Sequence, residues 1–315
     1  MQHWNSYWST TKSLNSFAEG EHSQGYVGEI ADFWQKVFSS LPKSAAILDL
    51  AAGNGGLAVL AQKFNAGFDV YASDAANINP LSLYTSSDPS YQQLKNIQFF
   101  GNMPSENLTF DNEQFDRVIS QFGFEYAEPK AALLAINRVL KPNGEFIALV
   151  HHKDSFISAD CRLGLQVINN LSQVDGLLEQ LLDFGHFCQT IIDKNQPTLE
   201  QQNQFKQKNA NLLQLFKLLQ SQCATEEELD WYNLLVKELI PAIVDWRQTD
   251  SSRVQKLIDN LDSFKQRLLD QEASSWSQTD IENISAEVES KWSACEFDAI
   301  TLDTGVLCWF IKACK

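Results

Sequence analysis

The segment Ile47-Leu48-Asp49-Leu50-Ala51-Ala52-Gly53-Asn54-Gly55-Gly56 decides the fold. An apolar run ends in an acid, a glycine-rich turn follows, and a helical pattern opens over about residues 56–65. Gly53 and Gly55 lack a Cβ, so the backbone can turn sharply there and a ligand can lie against it. Asp74 ends the next predicted strand, 25 residues after Asp49. In that place a carboxylate can accept both hydroxyls of a ribose. Acid, glycine loop and second acid, each in strand context, form a far more specific signal than a glycine loop alone.

The flanking sequence repeats the same alternation of strand and helix. Strands are predicted at 45–50, 68–73, 97–100, 115–121 and 144–150, with helices near 27–41, 56–65 and 129–140. The last helix is closed by Lys141-Pro142-Asn143-Gly144, read as a helix stop and turn. Such alternation predicts a parallel sheet covered by helices. From 156 to 292 the pattern is almost wholly helical; NANLLQLFKLLQSQ and ELDWYNLLVKELI space apolar residues by three and four. Pro241 should kink or end one of these helices, and Pro197 precedes another. Strand character returns at Phe297-Asp298-Ala299-Ile300-Thr301-Leu302, and a turn through Gly305 leads into Val306-Leu307-Cys308-Trp309-Phe310-Ile311, a hairpin. The expected organisation is an N-terminal arm over 1–26, a core over 27–155 and 293–315, and a helical insertion over 156–292 that serves as substrate lid or oligomer surface. The arm has weak periodicity and reads as irregular.

Composition narrows the function. The 315-residue chain carries a formal charge of −16, which disfavours nucleic acid as partner, because phosphate contacts need clustered Lys and Arg. No apolar run approaches the ~18 residues of a spanning helix, and the first residues lack the apolar core of a signal peptide; a cytoplasmic protein is expected. The six cysteines all lie in the C-terminal half without a CxxC pair, so neither zinc nor a disulfide framework is suggested.

Two cofactors could use the glycine loop. A dinucleotide needs the GxGxxG fingerprint and amide groups for its pyrophosphate. Here Ala51 stands at the first glycine position and Asp49 puts negative charge beside the loop. S-adenosylmethionine has no phosphate and carries an ammonium group, which an acid attracts, so the contrast favours it.

With ILDLAAGNGG in this context, the chain resembles the class I S-adenosylmethionine-dependent methyltransferases, in particular the small-molecule branch that includes the ubiquinone/menaquinone type. The resemblance covers roughly 27–150 and the final hairpin. It implies a Rossmann-like seven-stranded mixed sheet with a large α-helical insertion before the last β-hairpin. It implies S-adenosyl-L-methionine as cofactor, held by the loop residues Gly53, Asn54 and Gly55, by Asp49 near the methionyl end and by Asp74 at the ribose. Asn102 and Met103, after the third strand, take the place of the adenine contact; Asn102 departs from the family's Asp but keeps a carbonyl acceptor. Gln121, at the end of the fourth strand, is a candidate for the methionyl portion, and Phe122 or Phe124 for a wall of the site, against a reading of core packing with Glu125 exposed. The Asn/Asp-Pro-Pro-Tyr-like motif of amide and base methylators is missing from Ser120-Gln121-Phe122-Gly123-Phe124.

His151 and His152 close the fifth strand. In an extended chain they point to opposite faces, so a shared metal is disfavoured. One of them, His151 by preference, is a candidate base or hydrogen-bond donor; the competing role is structural, at the start of the insertion. Tyr7, Trp8 and Tyr26 are candidates to face the sulfonium by cation–π attraction, or to pack the arm, which also includes Phe17-Ala18-Glu19-Gly20-Glu21-His22. The function expected is methyl transfer to a small-molecule nucleophile by direct displacement. The alternatives are a methyltransferase acting on protein or tRNA, and a non-catalytic S-adenosylmethionine-binding protein. A homo-oligomer through the insertion is compatible with each.

Overall fold

The computed structural model describes residues 1–16, 25–173, 176–192, 197–288 and 291–315. The chain forms two compact units, one of residues 1–158 and 273–315, the other of 159–272.

The first unit is built on a seven-stranded sheet in the order β3-β2-β1-β4-β5-β7-β6. Its strands are β1 (Ala46–Leu50), β2 (Asp69–Ser73), β3 (Gln98–Phe100), β4 (Phe115–Gln121), β5 (Leu140–His151), β6 (Ala294–Leu302) and β7 (Gly305–Cys314). Strands β1 to β5 run parallel, and β7 is antiparallel to both β5 and β6. The centre of β1 is buried on both faces, as expected for a parallel strand covered by helices on two sides. Helices α1 (Gln2–Thr10), α2 (Gly28–Ser39), α3 (Gly56–Phe64), α4 (Pro89–Leu94) and α5 (Pro129–Val139) complete this part. Helix α5 starts where its sequence dictates: Pro129 occupies the first turn, and the Glu128 carboxylate accepts the N–H groups of Lys130 and Ala131. Strands β1 and β4 are adjacent, and chain order reverses between them. That reversal is the switch point at which ligands of open α/β sheets bind, beyond the carboxyl ends of the strands.

Two local expectations are corrected. The first residues of the arm are helical rather than irregular: Trp4, Tyr7 and Trp8 share one face of α1 at helical spacing. Residues 141–144 are not a turn between helix and strand. Pairing moves from Phe115–Leu140 to Arg117–Glu145, so these four residues bulge within β5. Asn143 takes the left-handed conformation at φ 64°, which Asn tolerates better than most residues. Lys141 Nζ donates to Asp116 Oδ2 at 2.8 Å across the bulge.

The second unit is helical. Helices α6 (Phe156–Gln173) and α11 (Ser251–Ser274) enter and leave it, and α7 (Leu177–Ile192), α8 (Leu199–Gln222), α9 (Glu226–Leu239) and the one-turn α10 (Pro241–Val244) lie between. Pro241 ends α9 and opens α10. Pro197 precedes α8, whose first turn is closed by a capping box between Thr198 and Gln201. The core of the unit is apolar, with Ile168, Leu177, Phe184 and Val254 among its buried residues. Helix α12 (Gln278–Val288) belongs to the sheet unit, where Ile281 and Ile284 join the core with Trp276 and Trp309. Among the described residues no helix is long and apolar enough to cross a membrane.

Candidate functional site

The carboxyl edge of the sheet gathers most of the residues singled out in the sequence. Asp49 is buried at the end of β1, and its Oδ2 accepts the Ala58 N–H at 3.0 Å, near the start of α3. Gly55 caps that helix at φ 89° and Gly53 lies at φ 53°, both in the left-handed region that glycine enters without strain. Asp74 follows β2; its Oδ2 accepts the Gly53 N–H at 2.8 Å and its Oδ1 the Ala76 N–H at 2.7 Å. The second acid therefore ties the glycine loop to the loop after β2.

Burial raises the pKa of both carboxyls. Asp49 is pushed well above the usual carboxylate range by burial, offset in part by the Ala58 hydrogen bond and reinforced by Asp74. Asp74 is pushed up to about 6 by burial, against two backbone hydrogen bonds. Two buried acids holding negative charge at one edge prefer a cation or hydroxyl donors between them.

At the end of β4, Gln121 Oε1 accepts the Trp34 indole N–H, which fixes the amide. Its Nε2 is buried without a hydrogen-bond partner, an uncommon state for a buried amide donor. Asn102 and Met103 sit beside Asp74 through the backbone: the Met103 N–H donates to the Asp74 carbonyl at 2.8 Å, and the Asn102 N–H to the Ala76 carbonyl at 2.9 Å. Met103 is buried, whereas the exposed Asn102 amide donates to Asn77 Oδ1.

The arm crosses this edge. Asn5 Oδ1 accepts the Asn77 N–H at 2.8 Å, the Tyr84 hydroxyl donates to the Lys12 carbonyl at 2.8 Å, and the Trp4 and Tyr126 rings meet edge to face at 5.8 Å. Asn54 turns toward the arm, donating through Nδ2 to the Thr11 and Ser13 carbonyls. The space that a Cβ on Gly53 would need is filled by the Trp8 indole, and that on Gly55 by the Phe99 ring. The bare faces of the two glycines thus receive aromatic rings, and Trp8 lies directly on the loop. The stretch from Phe17 to His22 lies outside the described residues.

The histidines separate as an extended chain requires. His152 stacks on Trp309 at 4.3 Å and accepts the Asp154 N–H through Nδ1; burial lowers its pKa. His151 is buried at the carboxyl end of β5, stacked on Phe122 at 4.4 Å, with Nδ1 2.5 Å from Glu125 Oε1. The same Glu125 oxygen accepts the His151 backbone N–H at 3.0 Å.

Glu125 corrects the sequence reading, which left it exposed: its side chain is fully buried. Phe124 is also buried, packed in the core against Phe146 and Trp276 rather than lining the edge. The local signal for Glu125 is weak, since a Glu between Phe124 and Tyr126 reads as solvent-facing and only the return of β5 encloses it. Tyr26 joins the two halves of the edge, because burial and then the charges of Asp49 and Glu125 raise its phenol pKa far above the ordinary value. Among the described residues no group of three or more His, Cys, Asp or Glu side chains could hold a metal ion.

Strand order, switch point and acidic loop together settle the architecture. The fold is that of a class I methyltransferase. Residues 48–148, from β1 into β5, match the family profile described as a methyltransferase domain. No curated protein matches the sequence significantly. Similar solved structures include an S-adenosylmethionine-dependent methyltransferase from Mesorhizobium loti, at 20% identity over 39% of this chain and 54% of that one, with a TM-score of 0.31. A second, from Aquifex aeolicus, is at 20% identity over 40% of this chain and 65% of that one, with a TM-score of 0.33. A protein of Methanococcus maripaludis, provisionally described as an S-adenosyl-L-methionine-dependent methyltransferase, is at 14% identity over 90% of this chain and 82% of that one, with a TM-score of 0.40. The methyltransferase domain spans less than two thirds of the first two chains.

Proposed function

We propose that the chain transfers a methyl group from S-adenosylmethionine to a small-molecule nucleophile by direct displacement, and that it is nearest in kind to the ubiquinone/menaquinone type. The observation that carries this reading is the pair of buried acids, Asp49 and Asp74, flanking the glycine loop with raised pKa values. The cofactor is S-adenosylmethionine: its cationic end meets the charge of Asp49, its ribose hydroxyls meet Asp74, and the unpartnered Gln121 Nε2 gives the methionyl carboxylate a donor. Asn102 and Met103 lie on the adenine side, Gly53 and Gly55 shape the loop, and Asn54 holds the arm, which brings Trp8 over the cofactor. When bound, the cofactor supplies an electrophilic methyl group on sulfur. The protein aligns the nucleophile with it, and positioning alone contributes several kcal/mol. His151 is the residue of this edge able to take a proton from the acceptor.

Titration calorimetry with S-adenosylmethionine tests the assignment, and heat of binding is expected in the micromolar range. No binding at millimolar concentration contradicts it. Methyl-labelled cofactor incubated with cell extract should then place label in small molecules; label found only in RNA or protein contradicts the acceptor class.

A further inference from the structure

Glu125 is a buried acid of the sheet edge that cofactor binding leaves without a role. Its Oε1 accepts the backbone N–H of His151 at 3.0 Å and lies 2.5 Å from Nδ1 of the same residue, and its Oε2 is buried without a partner. A buried carboxylate costs several kcal/mol unless its charge is used. Holding the end of β5 requires only the backbone bond, which a neutral amide also provides.

The bond to Nδ1 does more than hold the strand. It keeps the proton on Nδ1 and leaves Nε2 as the basic nitrogen. Phe122 stacks on the ring and limits its rotation. The other groups that face the pair are Cys308, across the β5–β7 ladder from His151 and pushed up to about 12 by burial and then by Glu125, and the Tyr26 phenol. Both stay protonated and neutral, so Glu125 is the acid that faces the imidazole.

We propose that Glu125 is a positioning residue that makes His151 the proton acceptor of the reaction, and that the methyl acceptor is accordingly a hydroxyl group, phenolic or enolic. The proposal rests on the methyltransferase reading above. A thiol is partly ionised near neutral pH and an amine can bind already deprotonated, whereas a hydroxyl keeps its proton until the reaction begins and needs a base in place. As the acceptor O–H bond breaks, its proton passes to His151 Nε2 and its oxygen pair forms the bond to the methyl carbon. The carbon–sulfur pair departs on the sulfur of S-adenosylhomocysteine. The imidazolium, stabilised by Glu125, later returns its proton to water.

The test combines three measurements. Methyl-labelled cofactor is offered with catechol, 4-nitrophenol and 4-hydroxybenzoate, with matched arylamines and arylthiols, and with a small-molecule cell extract; label is expected on oxygen. E125Q, which preserves the backbone bond, should lower kcat about 10- to 100-fold, and H151Q about 100-fold or more with loss of the acidic limb of the pH profile. Calorimetric affinity for the cofactor should remain unchanged in both variants. Nitrogen-15 NMR of the wild-type imidazoles, which needs neither substrate nor variant, should place the His151 proton on Nδ1. Label only on nitrogen, sulfur or carbon, label on no hydroxyl compound, an E125Q enzyme with wild-type kcat and pH profile, or a proton on Nε2 would each overturn the proposal. Loss of cofactor binding by the wild type would instead defeat the methyltransferase reading itself.

Discussion

At the carboxyl edge of the sheet Asp49, Asp74, Gln121, Glu125 and His151 are all buried, whereas the buried polar side chains described in 159–272 are Thr249, Arg267 and Gln271. The helical unit buries apolar side chains and two thiols, Cys161 and Cys188, each pushed up to about 12 by burial. The sheet edge instead keeps carboxyl groups and an imidazole out of water, and Gln121 Nε2 and Glu125 Oε2 there lack a hydrogen-bond partner. Groups held at such a cost suit a site where a bound ligand supplies the missing partners, as proposed here.

The largest expected effect probes the helical side. Phe184 in α7 is fully buried, and Phe184→Ala should cost about 3–5 kcal/mol of stability, by the usual loss for a large buried side chain. A lowered thermal midpoint with unchanged cofactor affinity keeps the two regions distinct, and a parallel loss of affinity would merge them.

The second effect concerns pH. The folded-state pKa of Asp74 is raised from an ordinary 3.8 to about 6. Its contribution to stability is therefore fully present below the lower value and lost as pH rises through the upper one. At roughly 1.4 kcal/mol per tenfold the loss is on the order of 3 kcal/mol by about pH 7, and Asp49 acts in the same direction. Hydrogen exchange read region by region should show the sheet edge loosening between about pH 4 and 7 in the free protein, less so in Asp74→Asn. The described residues of 159–272 bury no carboxylate and should lack this dependence.

Asp74→Ala should weaken S-adenosylmethionine by about 100-fold, the scale of losing charge-assisted hydrogen bonds. Calorimetry measures it, and a change of less than threefold would remove Asp74 from the site. The smallest effect belongs to the arm: Trp8→Ala, which removes the ring lying on Gly53, should weaken binding by about five- to tenfold through loss of aromatic and cation–π contact.

The same contrast explains what the sequence discloses. The layout of the edge was legible where signals are local: a strand ending in Asp49, glycines at positive φ and Asp74 one strand later each follow from a few residues. Strands β1 to β4, the final hairpin and the helix breaks at Pro197 and Pro241 follow the same logic, since periodicity and turn residues are short-range signals. Glu125 was illegible because its burial depends on the return of β5, far along the chain. Helix α1 was hidden because Ser, Thr and Asn dilute its short aromatic face, which finds its partners only in the segments after β1, β2 and β4. The bulge at 141–144 escaped because Pro-Asn-Gly signals a turn equally well inside a strand and before one.

The central claim is that two buried acids with raised pKa values receive the cationic cofactor. Ligand cation and hydroxyl donors favour the ionised carboxylates, so binding must release protons. Calorimetry of S-adenosylmethionine at about pH 6, close to the value for Asp74, in two buffers of different ionisation enthalpy measures that release directly. The account predicts binding with net proton release that shrinks toward about pH 8, where Asp74 is already ionised. Binding without buffer dependence at either pH, or no binding at all, would contradict it.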